Sequence, residues 1–170
     1  LLPEPGVLLP RERERVGALL CGAVRRTPVE PDRPVDVYDV VDLVRMCTDA
    51  LGIAHVHLEP AASPGFDPAR AARVVVGGVP AGALGALSDA ALAASGLHGP
   101  AVAFELDLDV LADATRVDRR FRALSPFPPS AIDLAFVVAD DVLAADIVAT
   151  LRSAAGDLLE EVRCFDEFRG

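Results

Sequence analysis

The order of hydrophobic and polar positions along the chain predicts both strands and helices. Residues 15 to 24 (RVGALLCGAV) form an apolar run of strand length between charged residues, which predicts a buried strand. Residues 36 to 52 place apolar side chains at helical spacing and end at Gly52, so they predict an amphipathic helix. Residues 55 to 59 (HVHLE) alternate and predict a short strand.

A β-hairpin is predicted between residues 73 and 87. Two apolar runs surround Gly77 and Gly78, and glycine supplies the positive φ that a tight hairpin turn requires. The preceding stretch, residues 63 to 73 (SPGFDPARAAR), predicts a crossing loop with one helical turn. After the hairpin, Ser88 as N-cap and Gly96 as stop delimit a short helix.

The segment from residue 102 to residue 112 (VAFELDLDVLA) alternates and predicts a half-buried strand. Its polar face is a row of three carboxylates, Glu105, Asp107 and Asp109. Such a row can hold a divalent cation or serve in acid–base catalysis. A solvated strand face explains the row without further assumption, and we favour that interpretation.

The last part of the chain has the order strand, helix, strand. Residues 132 to 140 (IDLAFVVAD) predict a strand, residues 142 to 156 a helix that ends at a glycine, and residues 158 to 170 a second strand. Two strands and one helix of this size cannot close a core by themselves. We therefore expect the chain to be a fragment of a larger sheet.

Charge and composition restrict the classes of function. The net charge is −10, and all 16 basic residues are arginine. An acidic surface repels phosphate, so unaided electrostatic binding of nucleic acid is disfavoured. No apolar run approaches the roughly 18 residues of a membrane span. Three widely spaced cysteines favour free thiols in a reducing compartment, which predicts a cytoplasmic protein.

Catalytic and metal motifs are weak in this sequence. His55, His57 and Glu59 fall on one face of a predicted strand at a spacing that metal ligands use, although a partly exposed strand face is the favoured interpretation. The glycines of residues 77 to 85 follow neither a dinucleotide-binding nor a phosphate-loop pattern. These patterns alone predict a non-catalytic α+β protein.

Two long stretches resemble a known family. SPFPPSAIDLAFVVADDV, followed by AADIVATLRSAAGDLLEEVRCFDEFRG, is similar to the C-terminal ferredoxin-fold anticodon-binding domain of bacterial phenylalanyl-tRNA synthetase β subunits. Upstream, Pro64 to Val74 and Gly82 to Leu87 resemble the synthetase-like core of the same subunit. The resemblance covers nearly the whole chain.

The resemblance implies an α+β architecture in two parts. Residues 1–115 would be the second half of a non-catalytic class II synthetase-like antiparallel-sheet core, and residues 116–124 a linker. Residues 125–170 would be the first β-α-β of a truncated ferredoxin-like (βαββαβ) anticodon-binding domain. The prolines around Phe127 would then form a rigid lead into this domain.

The resemblance also implies partners and roles. The family assembles with a catalytic α subunit into an α2β2 tetramer that uses ATP and Mg²⁺ to attach phenylalanine to tRNA(Phe), whereas this segment holds no cofactor, metal or catalytic residue. Structural motif positions are Phe127, Pro128, Asp133 and Asp166; Phe127 would anchor the lead on an apolar surface, and Asp133 would accept hydrogen bonds. The candidates for tRNA contact are Arg119, Arg120, Arg122 and Arg169.

Two alternatives remain at this point. A ferredoxin-like regulatory module that binds a small molecule would explain residues 125 to 170 but not the upstream resemblance. A structural interaction fragment with an exposed sheet edge would explain the composition without assigning an activity.

Overall fold

A computed structural model describes residues 12–25, 27–117, 121 and 126–168. The chain divides into two compact units, with the division between residues 122 and 123. Among its described residues, the first unit contains a five-stranded sheet, a two-stranded sheet and three helices. The second contains one helix with its flanking segments.

An antiparallel sheet of five strands forms the first unit. Its order is β1-β7-β6-β5-β4, so β6 is the central strand and β1 and β4 are the edges. The strands are β1 (Arg15–Cys21), β4 (Val56–Pro60), β5 (Phe66–Val76), β6 (Val79–Leu87) and β7 (Ala101–Asp107). Two short strands, β2 (Ala23–Val24) and β3 (Arg33–Pro34), pair separately.

The first strand differs from its prediction in length and in burial. β1 ends at Cys21 because Gly22 takes a positive φ of 86° and turns the chain into β2. Alternate residues of β1 are exposed because only one face of this strand packs against the core, and β1 pairs with β7 on one side only. The apolar run is therefore a half-exposed edge strand, and the prediction of full burial was wrong.

The hairpin prediction is confirmed, but the predicted loop before it is wrong. Gly77 and Gly78 have φ values of 58° and 83° and join β5 to β6. β5 begins already at Phe66, so the segment predicted as a crossing loop is largely strand. Within this segment, Phe66 and residues 71–73 pair with β6, and residues 72 and 73 also pair with β4, so non-local pairing overrides the weak local preference.

The first helix, α1 (Val37–Ala50), matches its prediction. The side chain of Asp36 accepts hydrogen bonds from the first turn, and the side chain of Asp39 accepts one from the Asp36 backbone N–H at 2.9 Å, which completes a capping box. Arg33 joins this network by donating to Asp39. The side chains of Val40 and Val44 are buried and face the sheet core.

One hydrophobic core lies between α1 and one face of the sheet. The most deeply buried side chains of this core are Val40, Val44, Val74, Leu84 and Leu106. These residues come from α1 and from three adjacent strands, as the 3.6-residue and 2-residue periods of helix and strand require. The opposite face of the sheet is consequently free to carry polar side chains.

Two short helices flank β7. The helix α2 (Asp89–Ser95) begins after Ser88, whose hydroxyl oxygen accepts from the Ala91 N–H, and ends at Gly96 with φ 66°, as predicted. The predicted strand over residues 102–112 instead ends at Asp107, where α3 (Leu108–Asp113) begins. The Asp107 side chain caps this helix. The alternation of apolar and polar residues continues to Asp109, but residues 108 and 109 belong to the first turn of α3 and not to the strand.

The second unit contains the predicted helix but not the predicted strands. The helix α4 (Ala144–Ala155) is followed by a 3₁₀ turn, Gly156–Leu158. Within residues 126–168 the structure contains no β-strand. In ferredoxin-like folds the two strands of each β-α-β unit are separated by a third strand, and no segment between 126 and 168 supplies one. Of the predicted β-α-β unit, the described residues 126–168 contain the helix and no strand.

Candidate functional site: the charged face of the sheet

Charged side chains share the face of the sheet that lies opposite α1. In the strand register, Glu105 lies beside Ala83, Ala83 beside Arg73, and Arg73 beside Glu59. Because side chains alternate along a strand, these residues point away from the core that Leu84 and Phe104 occupy on the same strands. We call this surface the charged sheet face and define it by Arg13, Arg15, Glu59, Arg73, Glu105 and Asp107.

Each arginine of the charged sheet face forms an ion pair with a carboxylate of the same face. Arg15 pairs with Glu105, Arg13 Nη1 lies 3.2 Å from Asp107 Oδ2, and Arg73 Nη1 lies 3.8 Å from Glu59 Oε2. The hydrogen bond to Glu105 and its charge raise the pKa of the Arg15 guanidinium. The cations of this face are therefore balanced by acids that the protein itself supplies.

A shallow cleft lies over these pairs. Its volume is about 240 Å³, and its lining includes Arg15, Arg73, Glu105 and the backbone at Gly82. Sites that enclose small organic ligands usually measure at least about 300 Å³. Binding of a nucleoside triphosphate would need arginines that are not already paired, whereas Arg15 and Arg73 in this cleft are paired with Glu105 and Glu59.

Asp107 has a structural role that its sequence position did not indicate. It is 8% exposed, and its Oδ1 accepts from the backbone N–H of Asp109 at 3.0 Å and of Val110 at 3.4 Å. Its Oδ2 accepts from Arg13. The predicted row of solvated carboxylates is thus wrong at Asp107, because this side chain caps α3 and is largely buried.

The histidine cluster has protein partners. His57 Nε2 lies 3.5 Å from Glu59 Oε1, while the other oxygen of Glu59 faces Arg73. His55 adopts a φ of 55°, and its carbonyl oxygen accepts from the Gly77 N–H at 3.0 Å. Within the described ranges no group of three His, Cys, Asp or Glu side chains has the geometry of a metal site. His55, His57 and Glu59 are all exposed, as expected for a partly exposed strand face.

The expected tRNA contacts and the expected structural motif positions all lie after residue 118. Arg119, Arg120, Arg122 and Arg169 lie outside the described residues. Of the motif positions, Phe127 is 77% exposed, so its expected burial as an anchor is not observed. Pro128, Asp133 and Asp166 are also exposed, and the Asp166 carbonyl oxygen lies 3.8 Å from the Cys164 Sγ.

Sequence reasoning missed the partners of the charged sheet face. Arg13 and Asp107 are separated by 94 residues in sequence, and Arg15 and Glu105 by 90. The usable signal was the alternation of apolar and polar residues in β1 and β7, which places these residues on one face but does not fix the register.

None of the helices in the described residues has the length and apolar character of a membrane span.

Comparisons with protein families match both parts of the chain. Residues 2–108 match the phenylalanyl tRNA synthetase beta chain CLM domain, and residues 125–170 match the ferredoxin-fold anticodon binding domain. The second match and the upstream match together disfavour the small-molecule regulatory module.

Curated relatives carry the same name. The chain is 36% identical over 163 residues to the phenylalanine–tRNA ligase beta subunit of Mycolicibacterium paratuberculosis and 37% identical over 163 residues to that of Nocardia farcinica; each alignment covers 95% of this chain. It is 34% identical over 171 residues, or 99% of this chain, to that of Symbiobacterium thermophilum. The chain spans only 19% of the length of these relatives.

Proposed function

The chain belongs to the phenylalanyl tRNA synthetase beta chain family, and we propose that it is a non-catalytic segment of a phenylalanine–tRNA ligase. The observation that carries this proposal is the order of two family matches, residues 2–108 and then residues 125–170, along one chain. In the proposed enzyme, a separate α subunit in an α2β2 tetramer activates phenylalanine with ATP and Mg²⁺ and transfers it to tRNA(Phe).

We assign residues 1–115 to the second half of a class II synthetase-like core that has no active site. The antiparallel sheet of the first unit is consistent with such a core. Its central strand, β6, contains no arginine, and the arginines of the charged sheet face are paired with carboxylates. Neutralising a triphosphate would require cations that these carboxylates do not occupy. The role of this segment would then be assembly with the catalytic subunit.

We assign residues 116–124 to a linker and residues 125–170 to the first half of an anticodon-binding domain. Arg119, Arg120, Arg122 and Arg169 would contact tRNA in this arrangement. Arginine can stack on bases as well as pair with phosphates, so a few arginines suffice on an acidic domain whose partner subunit holds the rest of the tRNA. Phe127, Pro128, Asp133 and Asp166 would shape the domain rather than bind RNA.

Fluorescence anisotropy with labelled tRNA(Phe) tests the RNA contact. The chain should bind the tRNA at low salt, and replacing Arg119, Arg120, Arg122 and Arg169 together by Gln should weaken binding at least about tenfold and lower its salt dependence. A matched control replaces Arg25 and Arg70, which pair with Asp32 and Asp67, by Gln. An equal loss of tRNA affinity in the two variants, or no tRNA binding by the parent chain, would refute the assigned contacts.

A further inference from the structure

Residues 115–117 follow α3 and lie beside the turn that joins α1 to β4. Arg116 forms an isolated antiparallel bridge with Ile53, whose side chain is buried. Two backbone hydrogen bonds flank this bridge, from Ala54 N to Thr115 O at 2.9 Å and from Val117 N to Gly52 O at 2.6 Å. The backbone of this segment is therefore held on the first unit by a turn that is distant in sequence.

The side chain of Arg116 adds two hydrogen bonds at the ends of two helices. Its Nη1 donates to the carbonyl oxygen of Leu51, the C-cap of α1, and its Nη2 donates at 3.4 Å to that of Leu111 in the last turn of α3. Neither α1 nor α3, both of which lie within the described residues, has a basic residue in its own last turn. One guanidinium thus supplies the cation that favours both C-terminal ends.

Arg116 lies between the two family matches. The first match ends at residue 108 and the second begins at residue 125, so Arg116 lies in neither matched range. We call its bonds to Leu51 and Leu111, together with the backbone bonds beside it, the Arg116 clasp. These bonds join the start of the expected linker to the first unit.

We propose that Arg116 is a positioning residue, and that its clasp makes the linker to the second unit start at one fixed point after Val117. Without the clasp the tether would start where α3 ends, at Asp113, and would have about 11 residues up to residue 124 instead of about 7. The local concentration that a tether provides falls roughly as the −3/2 power of its length, which corresponds to about a twofold loss. This inference rests on the proposed function, because it requires the second unit to contact tRNA.

Charging kinetics test the clasp in a β subunit of Mycolicibacterium paratuberculosis that carries this chain in place of its matching segment and is expressed with its α subunit. Arg116→Gln should raise the KM for tRNA(Phe) about two- to fivefold, because the tether becomes longer and loses its fixed start. Phenylalanine-dependent exchange of pyrophosphate into ATP should stay unchanged, since that step uses no tRNA. A variant that was merely unstable would lose both activities.

The matched control is Arg45→Gln, which removes an exposed arginine of α1 that lies 4.0 Å from Asp42 and does not belong to the clasp. It should change neither activity. A second variant inserts Gly-Ser-Gly-Ser after Val117, which lengthens the tether and leaves the clasp intact. This insertion should raise the KM for tRNA(Phe) as Arg116→Gln does, and an insertion without effect would overturn the inference.

Amide hydrogen exchange of the chain itself reports on the clasp without tRNA. The amides of Ala54 and Val117 should exchange at least about tenfold faster in Arg116→Gln, while amides of β5 and β6 keep equal protection and show that the first unit is folded. Unchanged exchange, or an unchanged KM for tRNA(Phe) in an active hybrid, would overturn the inference and leave the proposed function in place. A hybrid with the parent sequence that charges no tRNA would refute the proposed function and with it this role of Arg116.

Discussion

Arg33 donates two hydrogen bonds to the carboxylate of Asp39, one from Nη1 to Oδ2 at 2.9 Å and one from Nη2 to Oδ1 at 2.5 Å. The same carboxylate accepts from the backbone N–H of Asp36 and closes the capping box of α1. One side chain therefore joins the short strand β3 to the start of the helix that covers the core. A paired fork geometry of this kind fixes direction as well as distance.

The first prediction concerns the coupling between these two residues. Arg33→Gln and Asp39→Asn should each lower the free energy of unfolding. The free energy of unfolding of the double variant should be no lower than that of the less stable single variant. The reason is that each single substitution already breaks the shared interaction. Urea denaturation of the four proteins measures the coupling. Additive losses would contradict the shared role of the pair.

Gly82 gives a second prediction, about close packing between β6 and β7. A Cβ built on Gly82 would overlap the carbonyl oxygen of Glu105 on the neighbouring strand. Gly82→Ala should therefore lower the free energy of unfolding by about 1–3 kcal/mol, the usual cost of overpacking. Val79→Ile, on the same strand at a position 51% exposed, is the control and should change stability little. If Gly82→Ala has the same free energy of unfolding as the parent chain, the close packing of β6 against β7 at Gly82 does not contribute to stability, and this prediction is wrong.

The hydrophobic core gives a third prediction. Leu106 is completely buried between the sheet and α1, whereas Leu19 on β1 is 53% exposed. Leu106→Ala should destabilise the first unit by about 2–5 kcal/mol, because it leaves a cavity that rigid neighbours do not fill. Leu19→Ala removes the same atoms from a half-exposed site and should cost much less. Thermal or urea unfolding compares the two variants. Similar losses of unfolding free energy would contradict the placement of Leu106 in the core and of Leu19 on the exposed face of β1.

Asp67 gives a prediction about pH. The hydrogen bond from Arg70 Nε at 2.8 Å, and then the one from the Ala69 N–H at 3.0 Å, lower the pKa of the Asp67 carboxyl from its ordinary value of 3.8. A lowered pKa in the folded state means that the ionised carboxylate stabilises the fold above 3.8 and that this contribution disappears as the pH falls below that value.

The difference in unfolding free energy between the parent chain and Asp67→Asn measures this contribution, since the other carboxyls titrate in both proteins. The difference should be constant above pH 3.8 and should narrow below it. A difference that widens in acid would contradict the lowered pKa.

Local signals in the sequence predicted the first unit's turns and caps well. Gly77 and Gly78 in the hairpin and Ser88 before α2 act through their own backbone or side chain, so their neighbours in sequence are enough. The strand character of residues 66–72 was missed because it depends on pairing with the distant strand β6 at Phe66, Ala71 and Ala72 and with β4 at Ala72. Asp107 was predicted on a solvated strand face because apolar and polar residues alternate without interruption as far as Asp109. In the structure the strand ends at Asp107, whose side chain caps α3.

The functional surface was less predictable than the fold. Alternation in β1 and β7 places arginines and acids on one face, but their pairing depends on a register between residues about 90 positions apart in sequence. The strands predicted beside α4 are absent from the described residues 126–168 because a strand exists only with a neighbour. Roles for Arg119, Arg120, Arg122 and Arg169 stay predictions, since these residues lie outside the described part of the chain.

The central claim is that this chain acts as a segment of a phenylalanine–tRNA ligase β subunit. Its most direct test replaces the matching segment in the β subunit of Mycolicibacterium paratuberculosis, 36% identical over 163 residues, with this chain and expresses the hybrid with the α subunit of that organism. Phenylalanine-dependent charging of tRNA(Phe) is then measured. We predict that the hybrid co-purifies with the α subunit and charges tRNA, whereas the chain alone charges none. A folded hybrid that neither binds the α subunit nor supports charging would contradict the account.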